Sequence, residues 1–178
     1  LVEAETYWDD MVRFVSDPGA PCPIVNFQQY LRQSGINALW IFDIDCNVRT
    51  AQATCPDASL AVLPKTVDIK KLFETGHFCH FFMETPAGLM EVWGATIHPS
   101  VDFERKSPAR GYFLIGKLWD VSYLTELSSL VGGEVRLPPS AGVSENVPGA
   151  HQPKDILTFS RVLRGYDGAP VAGVHVRI

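Results

Sequence analysis

Residues 111–117 read GYFLIGK and match the G-x-x-x-x-G-K spacing of a phosphate-binding loop. Such a loop needs a flexible, Gly-rich turn whose backbone N–H groups converge on the phosphates, followed directly after the Lys by a helix and a Ser or Thr. Here the four intervening residues are bulky strand formers, and Leu118 follows Lys117. The segment therefore predicts a β-strand, and we expect no nucleotide to bind at it.

Three histidines and a glutamate are the residues best suited to ligating a metal ion or transferring protons: His77, His80, Glu91 and His98. His77 and His80 fall on opposite faces of a predicted strand, so their imidazoles cannot converge on one ion. No G-x-S-x-G or comparable nucleophile context occurs. We therefore predict neither a metal site nor a catalytic residue. A small metal-dependent hydrolase built on these four residues remains an alternative.

The composition is that of an ordinary globular domain. The 178 residues are 46% hydrophobic and 20% charged, with a net charge of −5 and no run of Lys or Arg. Because the chain carries no basic patch, nucleic acid is disfavoured as a partner. The apolar runs are far shorter than the roughly 20 residues that span a bilayer. No cofactor is indicated. Leu1 is not a start methionine, so the sequence has the character of a fragment cut from a longer protein.

The elements that must position these residues alternate between helical and extended patterns. Helical spacing of apolar residues predicts helices at 2–15, 24–33 and 67–75 and, after a cap at Asp120, at 121–131. Alternating or bulky runs predict strands at 38–43, 48–54, 77–83, 89–97, 111–119, 134–137, 157–164 and 171–177. Residues 98–110 predict an exposed loop, and the Pro-, Gly- and Ser-rich residues 138–154 predict a mobile one. An antiparallel sheet of about five strands with helices packed on it is an α+β fold.

Several stretches, taken in order along the chain, resemble one known family. Trp8-Asp9-Asp10 with Phe14-Val15 is similar to the opening helix of that family, and Asn26 followed by ALWIFDID to its first strand. GYFLIGKLWDVSYLTELS resembles its closing strand and Leu-rich helix, with Lys117 where the family usually has Arg. SRVLRGYDGAPVAGVHVRI resembles its terminal strand, Asp-Gly turn and strand. The family is the fourth class of CHASE domain.

The resemblance implies an extracellular sensor module related to the Cache and PAS-like sensors. It implies a sensor domain at 1–132, whose N-terminal helix packs on the sheet, and a membrane-proximal β appendage at 133–178, with membrane helices on both sides. The parent would be a sensor histidine kinase or a cyclic-di-GMP cyclase or phosphodiesterase, and the fragment itself no enzyme. A small molecule would act by shifting the first helix and the C-terminal hairpin. A homodimer through the first helix is a further expectation, and a purely structural dimerisation module is the other alternative.

A PAS-like sensor holds its ligand in a mostly apolar pocket with a few polar groups that orient it. The alternation of side chains along each strand identifies candidate pocket residues, but it leaves open which face of the sheet holds the pocket. Glu91 with Trp93 would suit a cationic ligand, because an indole attracts cations, and Arg110 would suit a carboxylate. The residues that we predict to bind ligand are Trp8, Asp9, His77, Glu91, Trp93, Arg110 and Tyr112. For Asp9, a structural role that locks the first helix to the sheet is an equal alternative.

An extracytoplasmic location would allow the four cysteines to form disulfides. Cys46 and Cys55 flank one arm of the predicted hairpin. A fully extended arm would separate them by about 30 Å, so they pair only if the chain folds back after about Thr50. Cys22 with Cys55 is the alternative pairing, and Cys79 is expected to be a buried free thiol.

Overall fold

The structure is a computed structural model that describes residues 6–54, 58–138 and 157–178. The helices in these ranges are α1 Asp9–Ser16, α2 Phe27–Ser34, α3 Ile69–Leu72 and α4 Val121–Val131, with a 3-10 helix at Ala58–Ala61. The strands are β1 Ala38–Asp43, β2 Val48–Ala53, β3 Phe78–Thr85, β4 Gly88–Ile97, β5 Gly111–Leu118, β6 Glu134–Arg136, β7 Thr158–Arg164 and β8 Pro170–Arg177. No helix within the described residues is long and apolar enough to cross a bilayer.

Capping residues set the ends of α2. The Asn26 side chain accepts a hydrogen bond from the Gln29 amide at 3.0 Å, which satisfies one of the free N–H groups of the first turn. Gly35 ends the helix in the left-handed conformation, with φ at 65°. The Lys117 ammonium donates to the Gly35 carbonyl at 2.6 Å. The Lys of the apparent phosphate-loop motif therefore caps the C-terminus of a helix, and the motif itself is strand β5 as predicted.

The central sheet is antiparallel, with five strands in the order β2-β1-β5-β4-β3. Trp40 lies opposite Leu114, and Phe42 opposite Tyr112, in the β1–β5 pair. Gly111 begins β5 where a Cβ would stand only 2.4 Å from the Phe42 carbonyl oxygen, so only glycine fits there.

The two faces of β1 have different neighbours because successive side chains of a strand point to opposite sides. Leu39 and Ile41 belong to a core that includes Met11 and Phe14 of α1 and Leu31 of α2. Trp40 and Phe42 point to the other side and are also buried. The helices α1 and α2 thus cover one face of the sheet, and the opposite face meets the chain that connects β2 with β3.

The chain clusters into two units, residues 1–80 with 92–117 and residues 81–91 with 118–178. The second unit contains a three-stranded sheet in the order β6-β8-β7. Its core is built on Phe82, Val135, Leu163 and Val174. This division cuts the chain at other points than residue 132, and the predicted domain boundary there stays a prediction.

Four predictions about local structure need correction or fall outside the described residues. The helix predicted at 2–15 is described from Asp9, because the Thr6 carbonyl accepts from the His98 amide and Tyr7 forms a bridge with His98; residues 2–5 lie outside the described residues. The helix predicted at 67–75 is only α3, which begins after the Asp68 cap. Residues 98–110 are not simply exposed, since the side chains of His98 and Arg105 are buried. Residues 139–154 of the predicted mobile loop lie outside the described residues.

Candidate functional site

A cleft of about 740 Å³ lies on the face of the sheet opposite α1 and α2. Its floor is the indole of Trp40 and the ring of Phe42 from β1, with Val48 and Ala51 from β2. The connection from Ala61 to Lys70 forms the other wall. This volume is within the range of about 300–1,000 Å³ that small-molecule sites occupy.

Local bonds hold the connection over the sheet. The Trp40 indole N–H donates to the Ala61 carbonyl at 2.9 Å, so the buried indole has its one polar atom satisfied. A turn follows, in which the Val67 amide donates to the Pro64 carbonyl. Asp68 then accepts from the Lys71 amide at 3.3 Å and starts α3. The cleft wall is therefore a shaped segment with its own hydrogen bonds.

Tyr112 is the predicted ligand-binding residue that shares the cleft face of the sheet. It pairs with Phe42 across the β1–β5 ladder, and its ring stacks on Phe73 with centroids 5.1 Å apart. Burial raises the pKa of the Tyr112 phenol, and the nearby Cys46 and Asp45 add to that rise. Asp45 and Cys46 line the cleft, whereas Tyr112 itself is not among the lining residues.

Three other predicted ligand residues make contacts that do not belong to the cleft lining. The Glu91 carboxylate is buried and accepts from the Trp119 indole N–H at 2.8 Å. Trp93 packs against the core under α1 and α2 and stacks on His80. The side chain of Arg110 is exposed, while its amide donates to the Ile97 carbonyl. The pairing of Glu91 with Trp93 around a cationic ligand has no counterpart in this cleft.

A second polar cluster joins the N-terminal segment to the loop between β4 and β5. The Arg105 guanidinium lies between the rings of Tyr7 and Phe78, 4.3 and 4.7 Å from their centroids. It donates to the Thr6 hydroxyl at 2.6 Å and to the Thr96 carbonyl. No ion pair involves this buried guanidinium among the residues that the structure describes. We call this arrangement the N-terminal clasp: Thr6, Tyr7 and Asp9 on one side, His98, Ser100 and Arg105 on the other.

His98 is fully buried in the clasp. Its Nε2 lies 2.9 Å from the Thr96 hydroxyl and its Nδ1 lies 3.1 Å from Asp102. Burial lowers the pKa of His98, with further lowering by Arg105 and His77 and opposition from Asp102. Hydrogen bonds from the Ser107 hydroxyl and amide, and then from the Lys106 amide, lower the pKa of Asp102. The imidazole is therefore held neutral beside an ionised carboxylate.

The structure gives Asp9 and Trp8 structural partners. Asp9 accepts from the Ser100 amide at 2.8 Å and from its hydroxyl at 2.6 Å, which lowers the pKa of the Asp9 carboxyl. This is the locking contact that the sequence offered as the alternative to ligand binding. Trp8 is half-buried against the helix-side core and lines a hollow of about 250 Å³ with Tyr30.

Within the described residues, His77, His80 and His98 do not converge on one metal ion. His77 contacts the Thr96 hydroxyl at 3.2 Å, with its ring 5.3 Å from that of His98. His80 stacks on Trp93 instead. Over residues 6–54, 58–138 and 157–178, no three His, Cys, Asp or Glu side chains are grouped to hold a metal ion.

The cysteines for which the structure gives a state are free thiols: Cys22, Cys46 and Cys79. Cys55, the predicted partner of Cys46, lies outside the described residues, so the predicted pairing stays a prediction. Burial raises the pKa of Cys79 to about 12. Cys46 lies in the turn after β1 with φ at 67° and lines the cleft.

The sequence did not identify the residues that line the cleft. Alternation along ALWIFD does place Trp40 and Phe42 on one face, which is the signal that was available. The return of residues 61–70 over that face depends on tertiary contacts, so the opposing wall has no signature of its own. Arg105 in the clasp was missed because it follows a polar stretch that is typical of solvated loops.

The described residues form an α+β fold with a five-stranded sheet and a cleft on the face opposite α1 and α2. A family model of the CHASE4 domain matches residues 1–138 of the 178. The chain therefore belongs to the CHASE4 domain family. It is an extracellular sensor domain of signalling receptors and not an enzyme.

The solved structures similar to this chain include two of the LuxQ periplasmic domain of Vibrio cholerae. The first has a TM-score of 0.51 and 9% sequence identity, and the similarity covers 99% of this chain and 87% of that one. The second has a TM-score of 0.44 and 11% sequence identity, and the similarity covers 94% of this chain and 91% of that one. The first similarity confirms the PAS-like fold. No curated protein matches the sequence.

Proposed function

We propose that this domain binds a small molecule in the cleft between β1, β2 and the connection 61–70, and that binding is the sensed event. The observation that carries the proposal is the cleft itself, a shaped and mostly apolar hollow in a sensor domain. Tyr112 is the predicted ligand residue best placed to contact that molecule.

The proposed mechanism is a population shift that β1 transmits. Trp40 and Phe42 of this strand face the cleft, while Leu39 and Ile41 pack on α1 and α2. A ligand that binds better to one position of β1 favours the matching position of α1, because packed cores move between discrete arrangements. The C-terminal hairpin β7–β8 is the second element that we propose to shift.

The parent protein, in this proposal, is a transmembrane receptor with a histidine kinase or a cyclic-di-GMP cyclase or phosphodiesterase on its cytoplasmic side. Membership in the CHASE4 family supports this setting. The similar fold of LuxQ, whose domain is periplasmic by its description, supports an extracytoplasmic location. A homodimer through α1 is part of the proposal.

Thermal-shift screening tests the sensing proposal. The purified domain is screened against amino acids, organic acids, amines and purines, and a true ligand raises Tm progressively with concentration. In Ala51→Phe, the added ring fills the cleft floor, so we expect the shift to disappear. Ala87→Phe is the matched control, because Ala87 is exposed in the β3–β4 turn outside the cleft.

Two results would contradict the proposal. One is a ligand whose shift survives in Ala51→Phe, since binding would then lie elsewhere. The other is that no compound in the library changes Tm, which would leave the domain as a structural dimerisation module.

A further inference from the structure

The mouth of the cleft is charged, unlike its walls. Asp45, Lys65, Asp68 and Lys70 all line it. Asp68 already accepts the capping hydrogen bond from the Lys71 amide. The ammonium groups of Lys65 and Lys70 make no ion pair or hydrogen bond with any of the described residues, and the Asp45 carboxylate makes none either. Two ammonium groups and two carboxylates therefore line the space that a ligand would enter, and one oxygen of Asp68 is already engaged by the helix cap.

The walls of the cleft are lined by apolar side chains. Val48 and Val62 line the cleft and remain 60% and 69% exposed. Aromatic surface from Phe42 and the aliphatic side chains of Val67 and Ile69 continue this lining. A ligand with an apolar body would remove this carbon surface from water, which is the main source of affinity in such sites.

We infer that the ligand is a small organic acid, with an aromatic or otherwise apolar body on the cleft floor and a carboxylate at Lys65 and Lys70. This inference rests on the proposed function, because it assigns a chemical class to the same cleft. A cationic ligand would meet the same two ammonium groups, and of the two carboxylates Asp68 already accepts the capping hydrogen bond from the Lys71 amide. A carboxylate meets two ammonium donors that form no ion pair within the described residues.

Three probes of one shape and different charge test the inference by isothermal titration calorimetry. They are 3-phenylpropionate, the neutral 3-phenylpropanamide and the cationic 3-phenylpropylamine. We expect the acid to bind, the amide to bind about tenfold more weakly because it loses the charge contact, and the amine to bind more weakly still. Rising salt should weaken the acid and leave the amide unchanged.

Lysine variants locate the contact. Lys65→Met and Lys70→Met keep an apolar stem of similar length, and each should weaken the acid several-fold while leaving the amide unchanged. Lys71→Met is the matched control, because Lys71 is on the same short helix and does not line the cleft. Unchanged Tm values for the variants show that they remain folded.

The outcomes separate this inference from the proposed function. Equal or tighter binding of the amide or the amine, failure of 3-phenylpropionate to bind, or equal effects of Lys71→Met and Lys70→Met would overturn the organic-acid inference. In each case the sensing proposal would stand if another compound still gave a shift that Ala51→Phe removes. If no compound gave such a shift, the sensing proposal and the organic-acid inference would both be overturned.

Discussion

Gly94 is the residue at which packing on the cleft face of the sheet leaves least room. A Cβ at this position would stand 2.7 Å from the Cys79 sulfur and 3.0 Å from carbons of Leu114 and Phe73. Contacts below about 3 Å force neighbours to move, and overpacked cores lose stability. The absence of a side chain on Gly94 therefore lets Cys79 and Phe73 approach the strand, and Phe73 in turn supports Tyr112.

We expect Gly94→Ala to lower the free energy of unfolding by about 1–3 kcal/mol, the usual cost of overpacking. Urea denaturation measures this difference. Gly76→Ala is the control, since no atom lies within 4 Å of its added Cβ. Adding Cys79→Ala to Gly94→Ala should restore part of the loss, because it removes the nearest atom. A Gly94→Ala variant as stable as the wild type would contradict this account of the packing.

At the scale of elements, the N-terminal clasp connects the start of α1 to the loop after β4. Its contacts are a backbone hydrogen bond from His98 to Thr6, the carboxylate of Asp9 on Ser100, and the Arg105 guanidinium between two rings. These contacts come from residues that lie some 90 positions apart along the chain. The clasp therefore fixes the position of α1 more closely than the apolar face of a two-turn helix could do alone.

Asp9→Ala should release this end of α1 without unfolding the domain. The Ser100 amide loses its acceptor, so we expect its hydrogen exchange to accelerate several-fold, together with that of neighbouring loop amides, while the β1 amides stay protected. Exchange followed by NMR or mass spectrometry measures this. Asp10→Ala is the matched control, since Asp10 is the adjacent exposed carboxylate of α1. Equal exchange in the two variants would show that the clasp does not hold the loop.

For the whole molecule, the buried neutral His98 makes stability depend on pH. The folded-state pKa of His98 is lower than its usual 6.5, so the unfolded chain binds a proton that the folded one excludes. Stability is then complete above about pH 6.5 and falls as the pH is lowered toward the folded pKa. The lowered pKa of Asp102 adds a second loss in more acidic solution, as the pH falls below its usual 3.8 toward the folded value.

Urea denaturation at a series of pH values between 7 and 5 tests this prediction. The wild type should lose stability across that window, with a slope of at most about 1.4 kcal/mol per pH unit for one proton. His98→Gln should be less stable at pH 7 but show a flatter slope. His80→Gln, which changes an exposed histidine, should keep the wild-type slope. A slope that persists in His98→Gln would assign the pH dependence to other groups.

The sequence predicted much of this fold because its signals are local. Asp120 begins a helix, and Gly35 and Gly132 end helices, where helix-capping rules place them, and the bulky run of β5 rules out a phosphate loop. The helix predicted to begin at residue 24 begins only after the Asn26 cap. The cleft and the clasp depend instead on contacts between distant segments. Lys117 illustrates this limit: its spacing suggested a phosphate and its family position a functional Arg, yet its partner is a helix carbonyl 82 residues away.

Alkylation of the Cys46 thiol would report whether a ligand occupies the cleft. Cys46 is half-buried and lines the cleft. Burial raises the pKa of both thiols, and raises that of Cys79 to about 12, so Cys79 is mostly protonated at neutral pH. Alkylating reagents attack the thiolate, so Cys79 reacts slowly on that ground. A molecule in the cleft and a reagent approaching Cys46 would compete for the same space. The extent of alkylation of the peptide that carries Cys46 could therefore record the ligand state of the sensor in intact cells, with no fused reporter.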